Sequence, residues 1–337
     1  MKKTATIALL LFNFCLAVHA HAQTKTGIHL LQTNKIHSDG SWDYLVADHT
    51  SQQLYISHGT QVNILNEKTG DSVGVIINTV GVHGILILHD LKKGYTTNGK
   101  MGDCTVFDIN TNAVIKKIKA GDNPDAIFYD EFSKKIYVCN GHSLDMSVID
   151  PQTDQVIATI PLGGKPETAV SDGKGKVFVN IEDKGEVLSI DTKSFKVLQR
   201  YKLEGGEEPS GLAIDKITSR LFVGCGNKVL LVLDDHTGKK IKSLPIGDGC
   251  DGVAFDPELK LVYSSNGEGT LTVIKEISAN QFAVLENVKT AKGARTIALD
   301  YTTHHVFMPT SDFKSGEIEG KKALRTPGTF RVLEYGK

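Results

Sequence analysis

The chain has 337 residues, of which 38 are basic and 39 acidic, and its formal net charge is −1. This balance argues against duplex nucleic acid as a partner, because proteins that bind it usually have a basic stripe. The length alone would allow two domains, but the repeat described below favours one closed domain.

Residues 1–22 have the pattern of a cleavable export signal. Lys2 and Lys3 precede an apolar run from Ala5 to Val18, and Ala20-His21-Ala22 matches an A-x-A cleavage site. The apolar run is too short to cross a bilayer as a stable helix, so we predict no membrane span. We therefore expect a periplasmic mature protein, residues 23–337.

A unit of about 42 residues recurs seven times after this signal. A clear copy runs from Asn123 to Asn140 and reads NPDAIFYDEFSKKIYVCN. A fixed period of this size without helical periodicity predicts an all-β fold, a seven-bladed β-propeller. The turn residues of the seven copies are Asp48, His89, Asp130, Asp172, Asp215, Asp256 and Asp300.

The third copy illustrates the predicted four-stranded blade. Short runs rich in β-branched and aromatic residues predict strands at Ala126–Tyr129, Ile136–Cys139, Met146–Ile149 and Gln155–Ile160. Polar turns separate the runs, and Asp130 begins the first of them. We name the strands of a blade A to D, from the channel outwards.

The two ends of the chain predict how the ring closes. Residues Thr329–Glu334 match a strand C that no strand D follows, whereas Ile28–Ile36 match a strand D that precedes the first strand A. The N-terminal strand is therefore expected to complete the last blade, in a 3+1 closure that removes an exposed edge.

One segment, Ser311–Gly328, interrupts the period between strands B and C of the last blade. It contains Lys314, Lys321, Lys322 and Arg325. A long loop of this kind is either a mobile polar loop or a lid or binding loop.

Four cysteines remain after the predicted cleavage: Cys104, Cys139, Cys225 and Cys250. The sequence cannot choose among their three pairings. We expect mostly free, buried thiols, because a core of this size needs no disulfide.

Strand A starts and strand B ends meet at one face of a propeller, beside the central channel. Converging polar groups in a concave site are the usual mark of ligand binding. The strand A starts are Trp42, Asp43, His83, Asp125, Glu167, Ser210, Asp251 and Arg295. The strand B ends are His58, Asn98, Asn140, Asn180, Asn227, Asn266 and Thr310.

Other interpretations of these residues stay open. The asparagines also suit tight turns, and several precede glycine. The carboxylates Glu167, Asp125 and Asp251 could bind Ca²⁺, and His58 and His83 could bind Zn²⁺. No compact ligand motif supports either ion, so no cofactor is predicted and a water-filled channel is the alternative.

The repeats resemble those of the YncE-like, YVTN-type seven-bladed propellers of bacterial periplasms. The signature strand is matched by IYVCN at Ile136 and VFVN at Val177, and further matches include WDYL at Trp42, GVHGI at Gly81 and GARTIALD at Gly293. The resemblance implies a shared site with Trp42, His58, His83, Asp125, Glu167 and Arg295. Single-stranded DNA binding is an activity attributed within the wider family, although one tryptophan and an acidic funnel fit that mode poorly.

Three functions follow as hypotheses for a monomeric protein. The first is a binding or scaffold module that receives a small molecule or protein at the funnel. The second is a lactonase-like hydrolase, with Glu167 or Asp125 as general base or metal ligand and His83 or Arg295 polarising the substrate. The third is single-stranded nucleic-acid binding. Whether the protein is an enzyme is left open.

Overall fold

The computed structural model describes residues 25–38, 40–314 and 324–337. The predicted signal over residues 1–22 and the loop residues Lys321 and Lys322 lie outside this part of the chain. Seven four-stranded antiparallel sheets are arranged as the blades of a β-propeller, which confirms the predicted fold class.

Each blade begins at the channel with strand A, and adjacent A strands contact one another all round the ring. The A strands are β2 (Trp42–Asp48), β6 (Val82–Leu88), β10 (Pro124–Asp130), β14 (Pro166–Ser171), β18 (Pro209–Asp215), β22 (Cys250–Asp256) and β26 (Ala298–Leu299). The B strands are β3 (Gln53–His58), β7 (Lys93–Asn98), β11 (Lys135–Asn140), β15 (Lys176–Ile181), β19 (Arg220–Cys225), β23 (Leu261–Asn266) and β27 (Val306–Thr310).

The two outer strands of each blade follow the same order. The C strands are β4 (Gln61–Asn66), β8 (Asp103–Asp108), β12 (Asp145–Asp150), β16 (Glu186–Asp191), β20 (Val229–Asp234), β24 (Thr270–Ser278) and β28 (Arg331–Gly336). The D strands are β5 (Ser72–Ile76), β9 (Val114–Lys119), β13 (Gln155–Pro161), β17 (Lys196–Lys202), β21 (Lys240–Pro245), β25 (Gln281–Lys289) and β1 (His29–Lys35).

The seventh sheet combines the two ends of the chain. Strand β1 pairs antiparallel with β28, from His29 opposite Gly336 to Lys35 opposite Arg331. The sheet order β1-β28-β27-β26 places this N-terminal strand at the outer edge. One blade therefore depends on residues from both ends of the sequence.

Hydrophobic side chains of the B and C strands form the core between neighbouring blades. One cluster joins Val148 of the third blade to Val177 and Leu188 of the fourth, all fully buried. The D strands are largely exposed; in Lys196–Lys202 only Tyr201 is buried and Val197 is half-buried. This division follows from stacked sheets, whose inner strands have protein on both faces.

Hydrogen bonds between blades join the A–B turns on the face opposite the proposed site. His89 Nε2 lies 2.8 Å from Asp48 Oδ1, and His304 Nδ1 lies 2.7 Å from Asp256 Oδ2. Lys260 donates to Asp215 at 3.0 Å. The turn carboxylates therefore link successive blades as well as closing their own turns.

The four cysteines are buried and free, as expected from the sequence. Helical structure in the described residues is limited to two 3₁₀ turns, His89–Leu91 and Glu182–Lys184. No helix in that part of the chain is long and apolar enough to cross a membrane.

Candidate functional site

A β-bulge at the start of strand A places a polar side chain at the channel mouth. Trp42 pairs with His58 and Leu45 with Ile56, so Asp43 and Tyr44 together face one residue of β3. Bulges re-aim side chains, and the same register shift recurs in the next five blades. The residues at these positions, with Arg295 just before β26, form the channel-mouth ring: Asp43, His83, Asp125, Glu167, Ser210, Asp251 and Arg295.

Buried polar side chains hold the backbone of the ring in place. Each donates a hydrogen bond to the carbonyl of a ring residue in the next blade, which fixes the blade positions relative to each other. The pairs are Thr97 with Asp125, Asn180 with Ser210, Ser265 with Arg295 and Thr296 with Asp43.

His83 links two ring carboxylates. Its Nδ1 lies 2.6 Å from Asp43 Oδ2 and 3.7 Å from Asp125 Oδ1. Burial alone would lower the pKa of His83, but the hydrogen bond to Asp43 and the charges of both carboxylates raise that pKa to about 9. Burial and the nearby Asp43 charge raise the pKa of Asp125 well above its ordinary value, against the opposing effect of His83. Among the described residues, Asp43, His83 and Asp125 place one possible metal-ligand atom each within 4.8 Å of one another.

A second polar contact lies across the mouth. Asp251 accepts a hydrogen bond from Ser210 at 2.6 Å and pairs with Arg295 at 2.7 Å. Burial raises the pKa of Asp251, and the Arg295 guanidinium opposes this rise. The Arg295 guanidinium thus neutralises one of the ring carboxylates.

Glu167 occupies the ring position of the fourth blade. Its Oε1 lies 2.6 Å from Lys165 Nζ, and the same ammonium also contacts Glu182. Burial raises the pKa of Glu167 to about 7, although Lys165 opposes the rise. Glu167 can therefore exchange a proton near neutral pH.

Tyr44 is a site residue that the sequence interpretation missed. It follows Asp43 in the bulge and packs against the cluster that contains Ala126 and Ala169, on the far side of the channel. Burial and the four ring carboxylates raise its pKa well above the ordinary value. The signal was available, because Gly84, Ala126, Thr168, Gly211, Gly252 and Thr296 occupy the same repeat position.

Trp42 and His58 lie outside the ring. Trp42 is only 8% exposed and stacks on Phe330, with the Arg325 guanidinium 5.2 Å from its ring. His58 also stacks on Phe330, with the two ring centroids 3.8 Å apart. Trp42 thus packs against both described ends of the long loop. These ends pair with each other through an antiparallel bridge between Phe313 and Arg325. The centre of that loop, residues 315–323, lies outside the described residues.

The predicted asparagines bond within the protein. Asn98 and Asn140 each donate to an aspartate across the B–C turn and to a hydroxyl of strand C, and Asn266 donates to two threonines. Asn180 anchors Ser210, and Asn227 donates to the Gly205 carbonyl at 3.0 Å. The amide groups of Asn98, Asn140 and Asn266 thus donate around the B–C turn, whereas those of Asn180 and Asn227 donate to segments distant in sequence.

The proposed metal ligand sets also differ from the structure. Glu167 and Asp251 are in separate ion pairs with Lys165 and Arg295 and do not form a cluster with Asp125. His58 hydrogen-bonds to Ser38 at 2.6 Å and is not grouped with His83. Repeat position alone could not predict these partners, because they depend on contacts between blades.

A cavity of about 490 Å³ opens beside the ring between the fifth, sixth and seventh blades. Its volume lies within the range typical of small-molecule sites. Four carboxylates and two cationic side chains line it, so the lining is net acidic. These residues are Glu182, Glu208, Asp248, Asp251, Lys292 and Arg295.

Comparisons with known proteins show the fold. No protein-family model matches the sequence, and no curated protein matches it. Among solved structures, Kuenenia stuttgartiensis hydrazine synthase superposes with a TM-score of 0.71 at 17% identity, covering 86% of this chain and 98% of that one. Likeness at this identity concerns architecture, and a propeller supports many functions. Membership of the YncE-like family stays a prediction.

Proposed function

We propose that the protein is a binding module that takes a small, polar, positively charged ligand at the acidic mouth of its channel. The observation behind this proposal is the ring itself. Six bulges and the segment before β26 direct seven polar side chains to one opening, and four of them are carboxylates. The adjoining acidic cavity supplies the volume for a ligand. A periplasmic location, with the predicted signal removed, is part of the proposal.

Electrostatics favour a cation over an anion at this mouth. Asp251, Glu167 and Asp125 are buried carboxyls whose pKa values are raised. A cationic ligand would stabilise their charged forms, which burial otherwise disfavours. A rigid ring also needs little rearrangement on binding, which lowers the entropic cost.

The test is a thermal-shift and calorimetric screen of small amines and guanidines against matched neutral and anionic analogues. We expect cations to bind and Asp251→Asn to weaken binding by about tenfold or more, because one partner charge is lost. The control is Glu131→Gln, a carboxylate with a 70% exposed side chain in the A–B turn of the third blade. Equal binding of the anionic analogues, or binding unaffected by Asp251→Asn, would contradict the proposal.

The pKa of Glu167 favours hydrolysis as a second candidate function. A carboxylate that titrates near pH 7 suits a general base, and Arg295 lies elsewhere on the same ring to stabilise an oxyanion. If so, Glu167→Gln lowers kcat for lactone substrates by about 100-fold or more while the unfolding midpoint is retained. Turnover unchanged in Glu167→Gln would exclude this role for Glu167.

Single-stranded nucleic-acid binding has less support. Its usual platform is an exposed aromatic face beside a basic groove. Trp42, the chain's one tryptophan, is covered by Phe313, Phe330 and Arg325. The mouth is also net acidic.

A further inference from the structure

We infer that Asp43, His83 and Asp125 form a binding site for one divalent cation of the Zn²⁺ or Mn²⁺ type. The inference rests on the proposed function, because it names a ligand for the same channel mouth. It concerns the part of the ring formed by the first three blades, away from the Asp251–Arg295 pair.

Asp125 provides the first evidence for a ligand at this position. The residue is 9% exposed, and its buried Oδ1 accepts no hydrogen bond among the described residues. Asp43, Glu167 and Asp251 each have a hydrogen-bonding or ion-pair partner at 2.6–2.7 Å. A buried carboxylate oxygen without a donor is costly, and a bound cation would satisfy it.

The spacing of the three donor atoms suits a single ion. Metal bonds of about 2.1 Å place two ligands of a tetrahedral or octahedral ion about 3.0–3.4 Å apart. His83 Nδ1 is 3.7 Å from Asp125 Oδ1 and 2.6 Å from Asp43 Oδ2. Side-chain shifts of less than about 1 Å would bring both separations to the spacing that a single ion requires. The Nδ1 proton now shared with Asp43 would leave when the metal binds.

The local packing holds the three residues together before any ion binds. A Cβ added at Gly84 would lie 2.7 Å from the Asp125 carbonyl oxygen, so only glycine lets the second and third A strands approach this closely. Thr97 donates to the same carbonyl. A preorganised site of this kind binds with less reorganisation.

The donor set decides the class of metal. One imidazole nitrogen and two carboxylates suit Zn²⁺ and Mn²⁺, and three protein ligands leave positions for water or a substrate. Ca²⁺ takes six to eight oxygen ligands, which this cluster does not supply. We therefore expect Ca²⁺ to bind much more weakly.

The test is calorimetric titration of Zn²⁺, Mn²⁺ and Ca²⁺ into chelator-treated protein, followed by thermal unfolding with and without each metal. We expect one equivalent of Zn²⁺ or Mn²⁺, an increase in unfolding temperature, and an affinity loss of about 100-fold in Asp125→Asn. His83→Gln tests the same site should Asp125→Asn fail to fold. The matched control is His89→Gln, which removes a histidine paired with Asp48 on the opposite face.

Each outcome bears on the inference. No Zn²⁺ or Mn²⁺ binding, or binding unaffected by both ring variants, would overturn it. Loss of binding in His89→Gln alone would also overturn it, by moving the site to the other face. If metals fail to bind but cationic organic ligands still bind, the metal inference fails and the proposed function stands. If neither class binds, both fail.

Discussion

We expect Gly94→Val to destabilise the protein by about 3 kcal/mol, because the new side chain meets the ring of a buried phenylalanine. A Cβ at Gly94 would overlap the ring of Phe107, its cross-strand partner. In the fourth blade the equivalent pair is Val177 and Ile190. Blade two therefore uses one very small and one large residue where another blade uses two of medium size.

This complementarity predicts a rescue. Phe107→Ile alone leaves a cavity, whereas the double variant Gly94→Val/Phe107→Ile restores stability to within about 1 kcal/mol of wild type. Urea unfolding of the four proteins measures the coupling. The control is Val177→Ala, at the equivalent position of the fourth blade. Phe107→Ile should not restore the stability that Val177→Ala loses. Neutral behaviour of Gly94→Val alone would show that the Phe107 ring can move aside, against this packing account.

The second large effect concerns pH. Glu67 is 8% exposed, and burial, its hydrogen bond with Asp300 and the charges of Glu334 and Asp48 raise its pKa to about 8. The folded state thus favours the protonated form. Its contribution to stability is complete below about pH 4.5 and is lost as the pH rises through about 8.

Glu67→Gln removes this dependence, since an amide can donate to Asp300 without ionising. We expect the variant to be more stable than wild type by on the order of 2–3 kcal/mol at about pH 9, and nearly equal at about pH 5. Chemical unfolding across this range measures the difference. Glu276, whose pKa is raised to about 7, titrates in both proteins, so its contribution cancels in the difference between them. Glu131→Gln is the exposed control, and a difference between wild type and Glu67→Gln that does not change with pH would refute the explanation.

Much of the fold was predictable from the sequence because each blade repeats the same local signals. The strands predicted in the third copy agree with β10 to β13 to within two residues at each end. The ring positions Asp43, His83, Asp125, Glu167, Ser210, Asp251 and Arg295 were also among the predicted strand A starts, since they occupy one repeat position.

The predictions that differ from the structure concern contacts between segments distant in sequence. Trp42 and His58 occupy repeat positions, but Phe313 and Arg325 of the long loop cover Trp42, and Phe330, just after the loop, covers His58. Asn180 and Asn227 looked equivalent to Asn98, yet the pairing register gives each a different partner. One register step or one long loop changes the environment of a side chain without changing its local sequence.

The sequence by itself determined the number of blades, the polar character of the channel mouth and the pairing of the two chain ends, because periodicity and turn chemistry are local properties. Only the tertiary structure decided which ring residues meet. His83 lies between Asp43 and Asp125, Arg295 pairs with Asp251, and Tyr44 extends towards the opposite blades. These contacts join different blades, so they depend on how the bulges and the close approach at Gly84 set the blades against one another.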